Sequence, residues 1–323
     1  MLMNFGDRLW GAVRNKGAPV CVGLDLLPEW LPPDVREKHG LSCSKDRDRT
    51  TVTAGAAAIS RALESFGREV IRIVCDSVPA IKINIAFFEP YFADGIRTYG
   101  RLVRYAQDMG LIVIGDVKRA DIGHTSAQYA RAQLGPIEDE TLVDLATPDA
   151  VTVNPYFGAD SILPFIDVAR DNGRGVFVLV QTSNASAAQV QGLVLPDGRT
   201  VGERVAQLVH EWAAEEGLVG AEGYSCVGAV VSPRDLASTR RIRELMPNCF
   251  FLVPGFGAQG RTAEEVALCF RCDGTGAVVN ASRSVIYSFN DVGYRAKFGG
   301  DWRTCIDQAS RDFVAAVNAA VRC

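Results

Sequence analysis

Eight short apolar runs, rich in β-branched residues, recur along the chain and constrain its fold more than any other feature. They cover residues 20–25, 80–88, 111–118, 150–155, 175–183, 226–232, 250–257 and 277–283. Between most of them lie segments with apolar residues at helical spacing, such as 93–110 and 201–217, which end in a glycine. Strands that are apolar on both faces and alternate with helices predict a parallel sheet closed into a (β/α)8 TIM barrel.

A doubly wound open sheet is the alternative arrangement of the same elements. Its best marker is GxGxxG after the first strand, whereas residues 23–30 of this chain read GLDLLPEW. The connection between the first two runs is unusually long, with a polar stretch at 39–51 and an alanine-rich helical segment at 53–67. We interpret residues 1–323 as a single barrel domain whose strand 1 to strand 2 connection, about 26–79, is embellished. A second excursion, 184–200, ends in a Pro-Asp-Gly turn.

Composition narrows the classes of partner. The net charge of −4 and the pI of 5.5 provide no bulk attraction to nucleic acid or to an anionic membrane. Any anionic ligand must therefore be held by local groups. The N-terminus lacks the apolar core of a signal peptide, and no stretch approaches the roughly 20 apolar residues of a membrane helix. We expect a cytoplasmic protein without a nucleic-acid or membrane partner.

Cysteine usage points to a reducing compartment. The chain has nine cysteines, an odd number, and most lie in apolar contexts where a thiol behaves as a small hydrophobe: Cys21, Cys75, Cys226, Cys249 and Cys269. Cys269 and Cys272 form a lone CxxC without a second pair, and the chain has only three histidines. We expect no metal site.

Charged residues interrupt the apolar pattern of the third run. Residues 111–123, LIVIGDVKRADIG, place Asp116 and Lys118 at the end of a strand, where period-2 geometry puts both side chains on one face. Taken alone, these two residues are as consistent with a structural ion pair as with a catalytic site. However, Lys82 lies inside the second run and Asp25 ends the first, so neighbouring strands would aim all four charges at one spot. Since a buried ion pair costs roughly several kcal/mol per ion unless it is well partnered, this cluster favours catalysis.

A second group of residues suggests a phosphate site. The turn Pro254–Gly260 is glycine-rich and leads into a helix start at which Thr262 and Glu265 have capping-box spacing. Backbone amides freed by those glycines, together with Arg283 at the end of the eighth run, would form a phosphate cradle. The alternative for the turn is an ordinary glycine-rich connection. The other strand ends are polar too, at Asn154, Ser183 and Ser232, and Ser183 reads as well as a helix cap or a turn hydroxyl.

These motifs together resemble one enzyme family. DVKRADIGHT (116–125), AIKINIAFFEP (80–90), TSN (182–184), PGFGAQG (254–260) and NASRSVIY (280–287) closely resemble the orotidine 5′-monophosphate decarboxylases, in particular the longer bacterial-type branch. The resemblance covers all eight runs. It implies a (β/α)8 homodimer with shared active sites that converts orotidine 5′-monophosphate to uridine 5′-monophosphate, in pyrimidine biosynthesis, without any cofactor.

The resemblance also implies a role for individual residues. Lys82, Asp116, Lys118 and Asp121 would form an alternating Lys/Asp network, in which Asp121 reaches into the partner subunit's site. The substrate contacts would come from Asp25 and Thr125 at the ribose, Ser183 at the pyrimidine edge, Gln259 and Arg283 at the phosphate, and the flanking Pro254 and Ser282. Shorter members of the family commonly carry a glycine where this chain has Ser282, so the backbone beside the phosphate is where it departs from the family pattern.

The chemistry suits these residue types. Loss of carbon dioxide from an sp² ring carbon leaves a poorly delocalised carbanion, and without a cofactor the protein must supply electrostatic stabilisation and a proton. Lys118 can supply both. Three alternatives stay open on the sequence: a magnesium-dependent sugar-phosphate decarboxylase with the same DxKxxD frame, a Schiff-base aldolase using Lys82 or Lys118, and a catalytically silent phosphate-binding barrel, against which the intact lysines and Asp116 argue.

Overall fold

All eight apolar runs form strands in the computed structural model, which describes residues 2–46, 49–257 and 260–321. The barrel strands are β1 Val20–Leu24, β4 Ala80–Asn84, β5 Ile112–Arg119, β6 Ala150–Val153, β7 Gly175–Gln181, β8 Val227–Val231, β9 Phe251–Val253 and β10 Ala277–Ala281. Neighbouring strands are parallel, and β1 pairs with both β4 and β10, which closes the sheet. The predicted (β/α)8 barrel is confirmed.

Helices connect the strands and cover the outside of the barrel. Their bounds are α1 Phe5–Lys16, α2 Pro33–Lys38, α3 Ala56–Val74, α4 Phe92–Asp108, α5 Gly123–Leu134, α6 Ala159–Asp171, α7 Val201–Ala213, α8 Leu236–Leu245, α9 Ala263–Ala267, α10 Arg283–Ile286, α11 Val292–Phe298 and α12 Trp302–Val321. Helix α3 runs on past Gly67, where the predicted segment stopped. A Cβ at Gly67 would lie 2.9 Å from Leu102 Cδ2, so this glycine serves close packing of α3 on α4.

The long connection after β1 contains a hairpin that the sequence pattern does not predict. Strands β2 Ser42–Asp46 and β3 Arg49–Thr53 pair antiparallel, with Ser42 opposite Thr53. They form a two-stranded sheet separate from the barrel. The second run is also shorter than predicted as a strand: it ends at Asn84, whose side chain accepts a hydrogen bond from the Ala86 amide at 3.2 Å and starts a 3-10 turn over Ile85–Phe87.

A buried ion cluster lies at the N-terminal end of the barrel. Asp149, immediately before β6, is 2% exposed. Its carboxylate accepts hydrogen bonds from Arg8 of α1 at 2.5 Å, from Arg174 at 2.9 Å and from the Val113 amide at 2.9 Å. These partners satisfy the buried charge of Asp149. In barrels of this type the functional site lies at the opposite end, where the strands have their C-terminal ends.

Two sequence expectations bear on the rest of the molecule. Across the described ranges, none of the helices is long and apolar enough to cross a membrane. The cysteines in those ranges are free thiols, and Cys21, Cys75, Cys226, Cys249 and Cys269 are buried, as the apolar contexts predict. Cys272, the other half of the CxxC, is exposed.

Candidate active site

A cavity of about 230 Å³, open to solvent, lies at the C-terminal ends of the barrel strands. Each of the eight strands, or the residues directly after it, contributes to its lining. Eight of the predicted site residues line it: Asp25, Lys82, Asp116, Lys118, Ser183, Pro254, Ser282 and Arg283. Asp121 and Thr125 do not line it, and Gln259 lies outside the described residues.

Four charged side chains form a row across the floor of this cavity. Lys82 Nζ donates to Asp116 Oδ2 at 2.7 Å and lies 3.7 Å from Asp25 Oδ1. Lys118 Nζ donates to Asp116 Oδ1 at 2.5 Å. Asp25 Oδ1 accepts no hydrogen bond from any described residue, although it is buried. The row therefore alternates in sign, and its Asp25 end, with a side chain that is 21% exposed, is open to the cavity.

The two buried members of the row hold each other in the charged state. Burial by itself would lower the pKa of Lys82, but the negative charges of Asp116 and Asp25 outweigh burial and raise it. Burial would likewise raise the pKa of Asp116, but Lys82 and Lys118 outweigh it and hold that pKa well below its usual range. At neutral pH both groups are ionised, and Asp116 cannot serve as the acid.

Lys118 differs from Lys82 in exposure and backbone. Its side chain is 49% exposed, whereas that of Lys82 is 8% exposed, so Lys118 is not the buried lysine that its strand position predicts. Its φ of 45° lies in the left-handed region, which is uncommon for a residue with a side chain. Here the pairing of β5 with β6 shifts register between Gly115 and Arg119. The ammonium group is thus presented to the cavity by a bulge in β5.

Thr152 on β6 lies beside this bulge. Its hydroxyl donates to Asp116 Oδ1 at 2.9 Å and accepts from the backbone amides of Val117 and Lys118 at 3.0 and 3.1 Å. The sequence pattern predicts no role for Thr152, because one threonine in an apolar run is typical of an ordinary strand. Asn84 and Asn280 also line the cavity without having been predicted. The available signal is their position: each is a polar residue in an apolar strand.

Asp121 and Thr125 lie beyond the end of β5. Asp121 is half-buried, and its Oδ1 accepts a hydrogen bond from the Ile122 amide at 2.8 Å. Thr125 is exposed on the first turn of α5. Neither contributes to the cavity of its own chain. Two other predicted strand-end residues are also absent from the lining: Asn154 Oδ1 accepts from the Tyr156 amide at 3.1 Å, and Ser232 is buried.

The glycine-rich turn after β9 is built differently from the predicted cradle. The capping box of Thr262 and Glu265 is present and occupies the start of α9. The amides of Gly257, Gly260 and Arg261 donate to carbonyls within the turn at 2.8 to 3.2 Å. These three amides are therefore not free for an anion, which corrects the expectation that the glycines release them.

Arg283 provides the positive charge at this side of the cavity. It is exposed and is the first residue of α10, rather than the last residue of a strand. Its guanidinium makes no hydrogen bond or ion pair with any described residue, and a guanidinium fits a phosphate through two parallel hydrogen bonds. The hydroxyl of Ser183 likewise makes no hydrogen bond with any described residue. The 3-10 helix that follows, Ala185–Gln189, begins without a side-chain cap. Ser183 is thus not a helix cap.

Ser282 fits beside Arg283 because of a glycine across the barrel seam. Its φ of −111° needs no glycine. A Cβ at Gly23 of β1 would lie 2.1 Å from Ser282 Oγ and 3.0 Å from Ser282 Cβ. The departure from the family pattern at 282 is therefore accommodated by the missing side chain at 23.

Within the described ranges, no group of three or more His, Cys, Asp or Glu side chains has a geometry that could hold a metal ion. The cavity that contains the charged row is also lined by the apolar side chains of Leu179, Val230 and Leu252. A charged row in a partly apolar cavity is an arrangement in which electrostatic interactions are strong.

Comparison with known families agrees with this geometry. The model of the family described as "Orotidine 5′-phosphate decarboxylase / HUMPS family" matches residues 18–293. The chain belongs to this family. The match spans all of the barrel strands and the whole lining of the cavity.

Known orotidine 5′-phosphate decarboxylases can be aligned with most of the chain. The orotidine 5′-phosphate decarboxylase of Rhodopirellula baltica is 38% identical over 290 residues, which cover 89% of both chains. That of Caldicellulosiruptor saccharolyticus is 34% identical and covers 99% of this chain and 100% of its own length. Among solved structures, Leishmania donovani OMP decarboxylase is 26% identical, covers 99% of this chain and 100% of its own, and has a TM-score of 0.70. The family resemblance seen in the motifs is confirmed.

Proposed function

We propose that the protein decarboxylates orotidine 5′-monophosphate to uridine 5′-monophosphate and that Lys118 is the acid that protonates the ring carbon. The observation that carries this assignment is the ammonium group of Lys118, open to the cavity and held 2.5 Å from the buried carboxylate of Asp116. A cation fixed in this way faces the place where negative charge develops, and it carries the proton that replaces carbon dioxide.

Asp116 and Lys82 would act through charge. Asp116 holds the ammonium group of Lys118 in place, while Lys82 neutralises the second oxygen of the same carboxylate. The carboxylate of the substrate would lie near Asp116, and their repulsion ends when carbon dioxide leaves. The C6–CO2 bond breaks, its electron pair stays on the ring carbon, and that pair takes a proton from Lys118 Nζ.

The remaining lining residues would bind the parts of the substrate that do not react. Arg283 would pair with the phosphate, the Asp25 carboxylate would accept a hydrogen bond from a ribose hydroxyl, and Ser183 would contact the pyrimidine edge. Binding energy from these contacts positions the reacting carbon against Lys118. Pro254 and Ser282 would shape the wall on either side of the phosphate.

We further propose that the enzyme is a homodimer in which Asp121 and Thr125 complete the partner subunit's site. Two observations support this. Neither residue lines the cavity of its own chain. The loops after β5 and β6 also carry large exposed apolar side chains: Ile122 is 54%, Tyr156 81% and Phe157 53% exposed. Apolar side chains clustered at the protein surface mark an interaction site.

A Schiff-base mechanism through Lys82 is disfavoured by the charge row. A lysine nucleophile needs a lowered pKa so that its amine is free at neutral pH. Asp116 and Asp25 raise the pKa of Lys82 instead. A magnesium-dependent sugar-phosphate decarboxylase differs from the proposed enzyme in that it requires a metal ion, so a test of metal dependence distinguishes the two.

The function is tested by following the absorbance of orotidine 5′-monophosphate with purified protein pretreated with EDTA. We expect turnover to uridine 5′-monophosphate that EDTA leaves unchanged. Absence of turnover would overturn the assignment, and turnover that depends on added magnesium would favour the metal-dependent alternative.

Replacing Arg283 with alanine should weaken the reaction of the nucleotide far more than that of the nucleoside. The guanidinium has no hydrogen-bond or ion-pair partner among the described residues, so the substitution breaks no such interaction there. For the nucleotide we expect kcat/KM to fall at least about a hundredfold, or ~2.7 kcal/mol. For orotidine, which lacks the phosphate, the change should stay within about threefold, a difference below ~1 kcal/mol.

The matched control is Arg295→Ala, an exposed arginine on α11 that does not line the cavity. It should behave like the wild type with both substrates. Equal losses on nucleotide and nucleoside in Arg283→Ala would place Arg283 outside the phosphate site.

A further inference from the structure

We propose that Thr152 is a positioning residue for this reaction, holding the Asp116 carboxylate and the Lys118 backbone together through a single hydroxyl group. The inference rests on the proposed function, because it gives Thr152 a part in that reaction. Thr152 is 1% exposed and lies on β6, directly beside the bulge in β5.

Hydrogen-bond accounting shows that the hydroxyl has one possible orientation. A threonine hydroxyl has one proton and two acceptor positions. The Val117 and Lys118 amides donate to it at 3.0 and 3.1 Å and fill both acceptor positions. Its proton therefore points to Asp116 Oδ1, at 2.9 Å, an ionised oxygen that can only accept. Every hydrogen-bonding capacity of the group is used by the Asp116–Lys118 segment.

The backbone of that segment depends on such a partner. Amides that leave a strand ladder must find another acceptor when they are buried. The ladder between β5 and β6 is interrupted after Gly115 and resumes at Arg119. Within the gap Lys118 has a φ of 45°, a conformation that costs a residue with a side chain on the order of 1–3 kcal/mol. Thr152 supplies an acceptor for two amides of this segment and so offsets part of that cost.

The conformation in turn decides where the ammonium group of Lys118 lies. Without the hydroxyl, two amides lose their acceptor and Asp116 Oδ1 loses a donor. Lys118 can then relax toward ordinary strand geometry, which moves Nζ away from the reacting carbon. Contacts at Arg283, Asp25 and Ser183 do not involve Thr152. The loss should therefore appear in kcat rather than in KM, since a displacement of about 1 Å can slow a reaction on the order of a hundredfold.

The test separates the hydroxyl group of Thr152 from its methyl group. Thr152→Val keeps the shape and removes the hydroxyl, whereas Thr152→Ser keeps the hydroxyl. With orotidine 5′-monophosphate we expect Thr152→Val to lower kcat at least about thirtyfold, ~2 kcal/mol, with KM within about threefold of wild type. Thr152→Ser should stay within about threefold in both constants. The matched control is Thr98→Val on α4, a 3% exposed threonine outside the cavity, which should retain wild-type kcat.

A Thr152→Val enzyme with kcat within about threefold of wild type would overturn the proposal, and so would an equal loss in Thr152→Ser. If Thr152→Val does not fold, Thr152→Ala and Thr152→Ser form the decisive pair, since both lack the methyl group and only serine has the hydroxyl. Serine should then exceed alanine in kcat at least about tenfold, and equal values would overturn the proposal. The wild type in the same assay separates the two hypotheses: an inactive wild type removes the function and this role together, whereas an active wild type leaves the variants to judge Thr152 alone.

Discussion

Replacing Lys118 with alanine should abolish decarboxylation and leave a folded protein. The reaction loses its acid and the positive charge facing the developing carbanion, so we expect kcat to fall at least about a thousandfold, or ~4 kcal/mol. Folding should survive because the side chain is 49% exposed, and Asp116 keeps its bonds to Lys82 and Thr152. The measurement is turnover of orotidine 5′-monophosphate beside a thermal unfolding curve of each protein.

Lys297→Ala is the matched control, an exposed lysine on α11 that does not line the cavity. It should have wild-type turnover. A loss in Lys118→Ala of less than about tenfold, ~1.4 kcal/mol, would show that another group is the acid.

Two inactive variants should regain activity when they are combined in one dimer. One chain carries Lys118→Ala and the other carries Asp121→Ala. In the hybrid, one site takes both lesions, whereas the other takes Lys118 from the second chain and Asp121 from the first and is intact. Each hybrid dimer should therefore have about half of the wild-type activity, and a random equal mixture about one quarter, from counting sites in a two-fold symmetric assembly.

The control mixture pairs Lys118→Ala with Asp116→Asn. These two side chains lie 2.5 Å apart in the same chain, so every site of that hybrid keeps one lesion and should stay inactive. Activity is read after hybrid formation has been verified by native mass spectrometry. A verified Lys118→Ala and Asp121→Ala hybrid without activity would place Asp121 in the site of its own subunit.

Much of the barrel and of its charged row could be predicted because both follow from strand periodicity. Apolar runs bounded by helical segments predict the strands, and the C-terminal ends of parallel strands meet on one side of the sheet. These two patterns predict that Asp25, Lys82 and Asp116 lie close together. The prediction that Asp116 and Lys118 share a face is confirmed, but a bulge produces it, and a bulge has no signature in the pattern of residue types.

The remaining features depend on contacts between distant segments. The β2–β3 hairpin arises from a polar stretch without the alternation that marks a half-buried strand. The role of Thr152 depends on three hydrogen bonds to another strand, which no local pattern encodes. The prediction that the amides of the turn after β9 are free is wrong for Gly257, Gly260 and Arg261. Glycine content shows where a chain can turn, but it does not show which carbonyl accepts each amide.

The fit of Ser282 against Gly23 makes these two positions interdependent in the evolution of the chain. While serine occupies 282, a methyl group at 23 would meet Ser282 Oγ, Ser282 Cβ and Asn280 Oδ1 at 2.1, 3.0 and 3.2 Å, and rotating the hydroxyl relieves only the first contact. A lineage with glycine at 282 would be released from two of the three. The effect of Gly23→Ala therefore depends on the residue at position 282. The substitution is harmful while Ser282 is present and is better tolerated once position 282 is glycine.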